Sequence, residues 1–337
     1  MRFDNPIFDH GFTFPDIADF PDVADEYRNP SDVDGVDIIR KSIHSRDLSS
    51  FRNAYRSLVK HNDDKLFSKL EHMFNFYSSF RSGRRDMEIQ SNEVYDGLYE
   101  NGISYLDLDV DDLVKSTKPI ADKLLSNPDW RPPPGRFDRF QQLDDSFKAK
   151  VQHLFKQAGI ISAASKYNKG GRMLRVANVV LHIATPTDQN WKQFLYDCDT
   201  VTKTTNTHID PKEDVMKAMV YLNDVDEDTG PFCYVERSNR WVYDSVQDIF
   251  GRAITTASYC CDPESRKKVF QFPKFLRVSH NFGRLLLDGT PEQDKILNEQ
   301  TMFTRSMGNV CVFDPAGIHK GGICNSKNRI ALQVLMK

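Results

Sequence analysis

Cysteine is scarce and scattered in this 337-residue chain. Its six cysteines, Cys198, Cys233, Cys260, Cys261, Cys311 and Cys324, form no Cys-x-x-Cys pair. That spacing excludes a zinc ribbon and a dithiol redox motif. Cys233 and Cys311 sit in apolar runs and are expected to serve as small buried hydrophobes. Charge of one sign is also missing: 45 basic residues face 48 acidic ones, for a net charge of −3. A polyanion would find no basic field here, so neither nucleic acid nor an anionic membrane is an expected partner. No apolar run reaches the roughly 20 residues that a membrane helix needs. The opening Met1-Arg2-Phe3-Asp4-Asn5-Pro6 lacks signal-peptide character, and Val334-Leu335-Met336-Lys337 carries no peroxisomal tripeptide. A cytoplasmic location is therefore expected. A Gly-rich phosphate loop, a Gly-x-Ser-x-Gly elbow, internal repeats and low-complexity stretches are all absent from the sequence.

What is present is material for a core: 39% of residues are hydrophobic, and 23 are phenylalanine. Residues 1–35 are rich in Asp, Phe and Pro without a period and read as an extended arm. A helix is expected over 37–61, with a break near Ser49-Ser50. A clearer one spans 63–80, where Leu66, Leu70, Met73, Phe74, Tyr77 and Phe80 recur at helical spacing. Ser91 is expected to cap a short helix that Gly102 ends. Ile103 to Leu108 alternates as a strand. Residues 111–126 read as a helix that Pro119 should disturb, and 138–158 as a strong helix stopped by Gly159. Arg131-Pro132-Pro133-Pro134-Gly135 is a stiff loop. Strands are expected at Met173–Thr185, Phe194–Thr202, Val215–Leu222 and Pro231–Val235, then around Val310–Phe313 and Ile330–Leu335. The stretch 236–302 is a long excursion with helical pieces at Val242–Ile254 and Pro291–Gln300. It is placed to act as a lid or as a packed insert. Residues 1–90 are expected to form an N-terminal arm and helical extension, and 91–337 a single domain carrying that lid-like insert.

The chemistry is concentrated in Thr207-His208-Ile209-Asp210. Side chains two apart on a strand leave the same face, so His208 and Asp210 can point at one centre. Two imidazoles and one carboxylate on one face of an octahedron bind Fe(II) and leave positions open. His319 is the best third ligand. It follows Met307 to Pro315, which reads as turn, buried strand and turn. Ten residues later Arg329 opens an apolar strand. A guanidinium entering such a strand is costly unless it meets an anion, and its planar fork suits a carboxylate. His182, on an apolar strand, reads as a packed histidine rather than a ligand. Asn178 and Arg175 on the same strand are further candidates to face the pocket. Each piece alone is common. A lone His is more often a packed or surface residue, and an Arg at a strand start more often snorkels. The order His-x-Asp, Tyr221-Leu222-Asn223-Asp224-Val225, Gly230-Pro231-Phe232, a Gly-x-x-x-x-Phe-Asp run, His319 and Arg329 is far more specific.

On these pieces the chain resembles the phytanoyl-CoA dioxygenase family of iron(II)- and 2-oxoglutarate-dependent oxygenases. The likeness covers roughly 95–337 and is dense at 204–234 and 306–337. It implies an α+β, mainly β fold: a double-stranded β-helix (jelly roll, cupin-like) buttressed by helices, here with the N-terminal helical extension. It implies Fe(II) on His208, Asp210 and His319, and the far carboxylate of 2-oxoglutarate on Arg329. It further implies oxidation of an unactivated C–H of a small-molecule substrate by O2, with release of succinate and CO2. In halogenating relatives a small residue replaces the carboxylate, so Asp210 points to hydroxylation or another oxidative outcome. The chain departs from the family at Glu236-Arg237-Ser238-Asn239-Arg240, where Pro-Gly-Ser-His is frequent. Two other readings keep the fold: a catalytically silent β-helix that binds a ligand or metal, and a metal barrel of non-oxidative chemistry.

Overall fold

A computed structural model describes residues 37–58 (except 40, 43 and 44), 64–80, 92–127, 138–167, 173–186, 210, 215–238, 298–315 and 317–337. The expected arm at 1–35, the cap at Ser91, the loop at 131–135, the strand at 194–202 and the helix at 242–254 lie outside these residues. The chain divides into two compact units. One comprises Met1–Arg85, Ile209–Glu213 and Arg240–Asn298, and the other Asp86–His208, Asp214–Asn239 and Glu299–Lys337. Among the described residues no helix is long and apolar enough to cross a membrane.

In the first unit two helices are described, α1 (Leu48–Leu58) and α2 (Asp64–Phe80). The break before α1 falls at Arg46, which takes a left-handed φ of 60°, and not at Ser49-Ser50. Asp47 instead caps α1, accepting from the Ser49 and Ser50 amides at 3.0 and 3.1 Å. Phe51 and Phe74 pack ring to ring at 4.8 Å, and Tyr55 meets Phe67 at 5.3 Å. Leu66, Leu70 and Phe74 of α2 are buried, as their spacing predicts; the side chains of Met73, Tyr77 and Phe80 lie outside the described ones.

The second unit is built on two antiparallel sheets. The larger runs β1 (Ile103–Asp107), β7 (Asn309–Phe313), β4 (Met216–Tyr221), β9 (Arg329–Met336), β3 (Val176–Ala184) and β2 (Asp138–Gln142), in that spatial order. The smaller runs β6 (Gln300–Phe303), β5 (Phe232–Val235) and β8 (His319–Gly321). β5 and β6 are direct neighbours, so everything between Val235 and Gln300 is the connection of one hairpin.

The register sorts the side chains onto two faces. On one face of the large sheet, Val179, Leu181, Ile183, Ala218, Val220, Val310, Val312, Leu332 and Val334 are buried. They pack under four helices, α3 (Glu93–Asn101), α4 (Asp111–Leu125), α5 (Asp145–Gln157) and α6 (Ile160–Tyr167), through Leu98, Leu113, Val151, Phe155 and Ile160. The expected helical buttress is therefore present. The opposite face carries Ile103, Met219, Tyr221, Cys311, Phe313 and Ala331, which share a second cluster with Phe232, Tyr234 and Phe303 of the small sheet. The two sheets meet through aromatic contacts: Phe303 lies 4.7 Å from Tyr221 and 5.3 Å from Tyr105, and Phe232 lies 4.6 Å from Phe313.

Some local expectations need correction. Asp138–Gln142 is a strand, not the first turn of a helix. It pairs with β3, and Phe140 stacks on His182 at 4.5 Å. Asp144 then starts α5, accepting from the Ser146 and Phe147 amides. A second helix, Ile160–Tyr167, follows Gly159, whose φ of 73° ends the first. Pro119 sits inside α4 without ending it. Asn92 caps α3, with its Oδ1 accepting from the Tyr95 amide at 2.9 Å. Gln300, expected to end a helix, opens β6.

Candidate active site

Of the predicted site residues, His319 lies among the inter-sheet aromatics, and Arg329 starts from the same face of β9 as Ala331 of that cluster. His319 lies on β8 opposite Tyr234 of β5 and is buried. Its ring is walled by Phe313 at 5.3 Å, Phe232 at 5.8 Å and Tyr234 at 6.4 Å. Its Nδ1 lies 2.8 Å from the carbonyl oxygen of Gly317. A carbonyl only accepts, so Nδ1 carries the proton and the ring's lone pair sits on Nε2. This is the tautomer a metal-binding imidazole needs, oriented by a backbone acceptor.

The segment before His319 is pinned from several sides. Ser238 Oγ accepts from the Ile318 amide at 2.7 Å and donates to the Val235 carbonyl at 2.6 Å. The Val235 amide donates to the Ile318 carbonyl at 2.9 Å. Tyr234 donates through its hydroxyl to the Asp314 carbonyl at 3.1 Å, and Tyr167 to Asp314 Oδ2 at 2.8 Å. Gly317 is held against the Tyr234 hydroxyl end, so closely that a Cβ there would collide with it. The requirement for glycine at 317 thus comes from close approach. The sequence holds Gly317 and Ser238 in view but gives no sign of these jobs, because both act across the fold.

Arg329 opens β9, paired with Ala184 of β3. Its side chain is 1% exposed and is the largest of the fully buried ones. One guanidinium nitrogen donates to the Gly230 carbonyl. Its Nε is buried and meets no hydrogen-bond partner, and no carboxylate among the described residues forms an ion pair with it. A buried guanidinium with an orphaned N–H is costly to leave unpaired. Its charge is felt by Tyr221 and Cys233, where it opposes the upward push that burial gives both groups. Tyr221 therefore stays a neutral phenol. Its hydroxyl donates to the Phe303 carbonyl at 2.8 Å and accepts from the Phe232 amide at 3.1 Å, bolting one sheet to the other.

Gly230 can offer its carbonyl because two backbones cross tightly there. Its φ is 70°, and a Cβ would lie 2.7 Å from the Gly322 carbonyl oxygen. The 3-10 turn Glu227–Thr229 delivers it, capped by Asp226. Lys327 pairs with Asp226 at 2.6 Å and, with Thr229, holds the Asp226 carboxyl down to about 2.

The remaining predicted residues lie elsewhere or outside the described part. His208 lies outside the described residues. Asp210 is half-buried and belongs to the other compact unit. Among the described residues no cluster of three or more metal-ligating side chains is found. His182 is buried on the inward face opposite Ala331. Asn178 is half-buried near the far end of β3, opposite Leu335, and accepts from the Gln142 amide. Arg175 is exposed, its backbone paired with that of Lys337 through bonds of 3.0 and 2.9 Å. It lies at the end of β9 opposite to Arg329, roughly 27 Å away along the strand at about 3.4 Å per residue. The thiols of Cys233 and Cys311 are buried and raised by burial, in keeping with a packing role.

No family model matches the chain, and no curated protein matches it. Solved structures do. The non-haem alpha ketoglutarate dependent carbocyclase SnoK from nogalamycin biosynthesis matches at 15% identity and a TM-score of 0.43, over 75% of this chain and 86% of SnoK. HygX from Streptomyces hygroscopicus, with nickel, 2-oxoglutarate and hygromycin B bound, matches at 14% identity and a TM-score of 0.40, over 73% of this chain and 87% of HygX. EctD from S. alaskensis, in its apoform, matches at 12% identity and a TM-score of 0.41, over 76% and 79%. These are distant likenesses.

Proposed function

We propose that the chain is an iron(II)- and 2-oxoglutarate-dependent oxygenase on a double-stranded β-helix, acting on a small-molecule substrate with O2. One observation carries the reading: the guanidinium of Arg329, buried and paired with no carboxylate among the described residues, starts from the same face of β9 as Ala331 of the inter-sheet cluster, and that cluster also walls a buried imidazole in the metal-binding tautomer. The donor set fits the chemistry. Arg329 offers a planar fork with an orphaned N–H to one end of a dicarboxylate. His319 offers Nε2 to a metal, and in the proposal His208 and Asp210 complete its ligands. Bound iron and 2-oxoglutarate would supply oxidative decarboxylation to succinate and CO2 coupled to attack on a C–H bond. The protein's own part is to hold and exclude. Gly317 and Ser238 fix the His319 ring, Arg329 anchors the acid, and Phe232, Tyr234, Phe303 and Phe313 keep water from the space between. With a carboxylate at 210, hydroxylation is the proposed outcome.

Anaerobic titration with Fe(II) and 2-oxoglutarate tests this. A visible charge-transfer band is expected in the wild type and is expected to vanish in His319→Ala. Metal binding without any band in the wild type would sink the oxygenase reading. It would favour a barrel that binds metal or ligand without this chemistry.

A further inference from the structure

The Leu222-Asn223-Asp224-Val225 run stands out in the sequence, and its asparagine sits just past the end of β4. The ladder between β4 and β9 ends at Tyr221 opposite Ala331, followed by one last backbone bond from the Leu222 amide to the Ile330 carbonyl at 2.9 Å. Arg329 therefore lies just past the point where the β4 backbone stops supporting β9. Asn223 fills that place with its side chain. Its Oδ1 accepts from the Ile330 amide at 2.7 Å, and its Nδ2 donates to the Asn328 carbonyl at 3.0 Å and to the Asp224 carbonyl at 2.9 Å. A carboxamide has the same acceptor and donor as a peptide group. Asn223 thus acts as one more peptide unit of β4 and grips the residues on both sides of Arg329.

We propose that Asn223 is the positioning residue for Arg329, setting how tightly the site holds a 2-oxoglutarate-type dicarboxylate; this rests on the function proposed above. The guanidinium itself is tethered by its bond to the Gly230 carbonyl. Its aim depends on where the β9 backbone launches it. Releasing Asn328 and Ile330 frees that launch point without touching the imidazole at His319. The chemistry also distinguishes this from a general staple. Aspartate could still accept from the Ile330 amide but could not donate, and it would set a charge against the carbonyls of Asn328 and Asp224.

The test uses the full-length protein, with Fe(II) and 2-oxoglutarate as probes under anaerobic conditions. Dissociation constants for the metal and the acid are measured separately in wild type, Asn223→Ala, Asn223→Asp and Asn223→Gln. Losing a residue that orients a binding group typically weakens binding by about 10- to 100-fold. A loss of that size in 2-oxoglutarate affinity is expected for Asn223→Ala and Asn223→Asp. Fe(II) affinity is expected to stay within about twofold of wild type, by the same reasoning. Asn223→Gln, which keeps the donor and acceptor, is expected to recover part of the loss. Thermal melting without ligand controls for folding. If Asn223→Ala and Asn223→Asp melt lower yet bind 2-oxoglutarate as wild type does, Asn223 is only a staple and the inference falls. If wild type binds Fe(II) but no 2-oxoglutarate, the proposed function fails instead.

Discussion

Replacing Arg329 with Met asks whether this cation is kept for stability or for binding. Among the described residues the guanidinium has one carbonyl partner and no carboxylate counter-charge, at 1% exposure. The effective cost of burying an unpaired ion is several kcal/mol. Methionine matches much of the length without the charge. Its cost is the Gly230 carbonyl, which loses its donor, for a penalty of about 1–3 kcal/mol. The balance predicts that Arg329→Met is more stable than wild type without ligand, by about 1–3 kcal/mol. For a unit of this size each kcal/mol moves the midpoint by about 2–4 °C. With Mn(II) present throughout, 2-oxoglutarate at about 100 times its dissociation constant should add about 2.7 kcal/mol to wild type and almost nothing to the variant. Differential scanning fluorimetry with and without the acid reads both numbers. A variant that melts lower than wild type without ligand, and still shifts with 2-oxoglutarate, would refute the reasoning: Arg329 would then be a structural cation.

Three further outcomes follow from the same contacts. Tyr221→Phe removes the hydroxyl shared by the Phe303 carbonyl and the Phe232 amide; both are left bare, so urea unfolding should show a loss of about 1–3 kcal/mol. Gly317→Ala drives a methyl into Tyr234, and should cost about 1–3 kcal/mol of stability while weakening Fe(II) binding, read by equilibrium titration, because the Gly317 carbonyl orients His319. The Asp226 carboxyl is held down to about 2, first by Lys327 and then by Thr229. A carboxyl depressed in the folded state adds stability above its unfolded value of about 4 and loses it as pH falls toward 2. Acid-unfolding curves of Asp226→Asn and wild type should therefore converge over that window, and a gap that stayed constant down to pH 2 would contradict the assignment.

The strands were legible in the sequence where they are central. β3, β4, β7 and β9 are apolar on both faces, because helices cover one side and the small sheet the other, so their runs stand out from their surroundings. β8 did not stand out: His319–Gly321 is three residues long and owes its strand conformation to pairing with β5. β2 was hidden for a related reason. Asp138–Gln142 continues the helical pattern of the next segment, and only its partner β3 makes it extended. Pro119 misled in the opposite direction, since packing of Leu113 and Ala121 on the sheet outweighs one missing hydrogen bond. Of the candidate site, spacing and residue type point to His319 and Arg329, both of which the fold buries. Ser238, Gly230 and Asn223 act through side chain–backbone contacts between segments 80 to 107 positions apart, and Gly317 is required by its approach to the distant Tyr234, none of which a local pattern records.

The order of strands also sets a timetable. In the large sheet β1 touches only β7, β4 lies between β7 and β9, and β3 lies between β9 and β2. During synthesis, before residue 309 leaves the ribosome, β2 and β3 are, among the described strands of this sheet, the only ones with a partner already made. β1 waits more than 200 positions for Phe313 to meet Ile103. Such distant pairing makes for slow folding and leaves apolar edges uncovered meanwhile. The large sheet therefore cannot be completed before β9 is made, and until then the edges of β3 and β4 that β9 covers stay open.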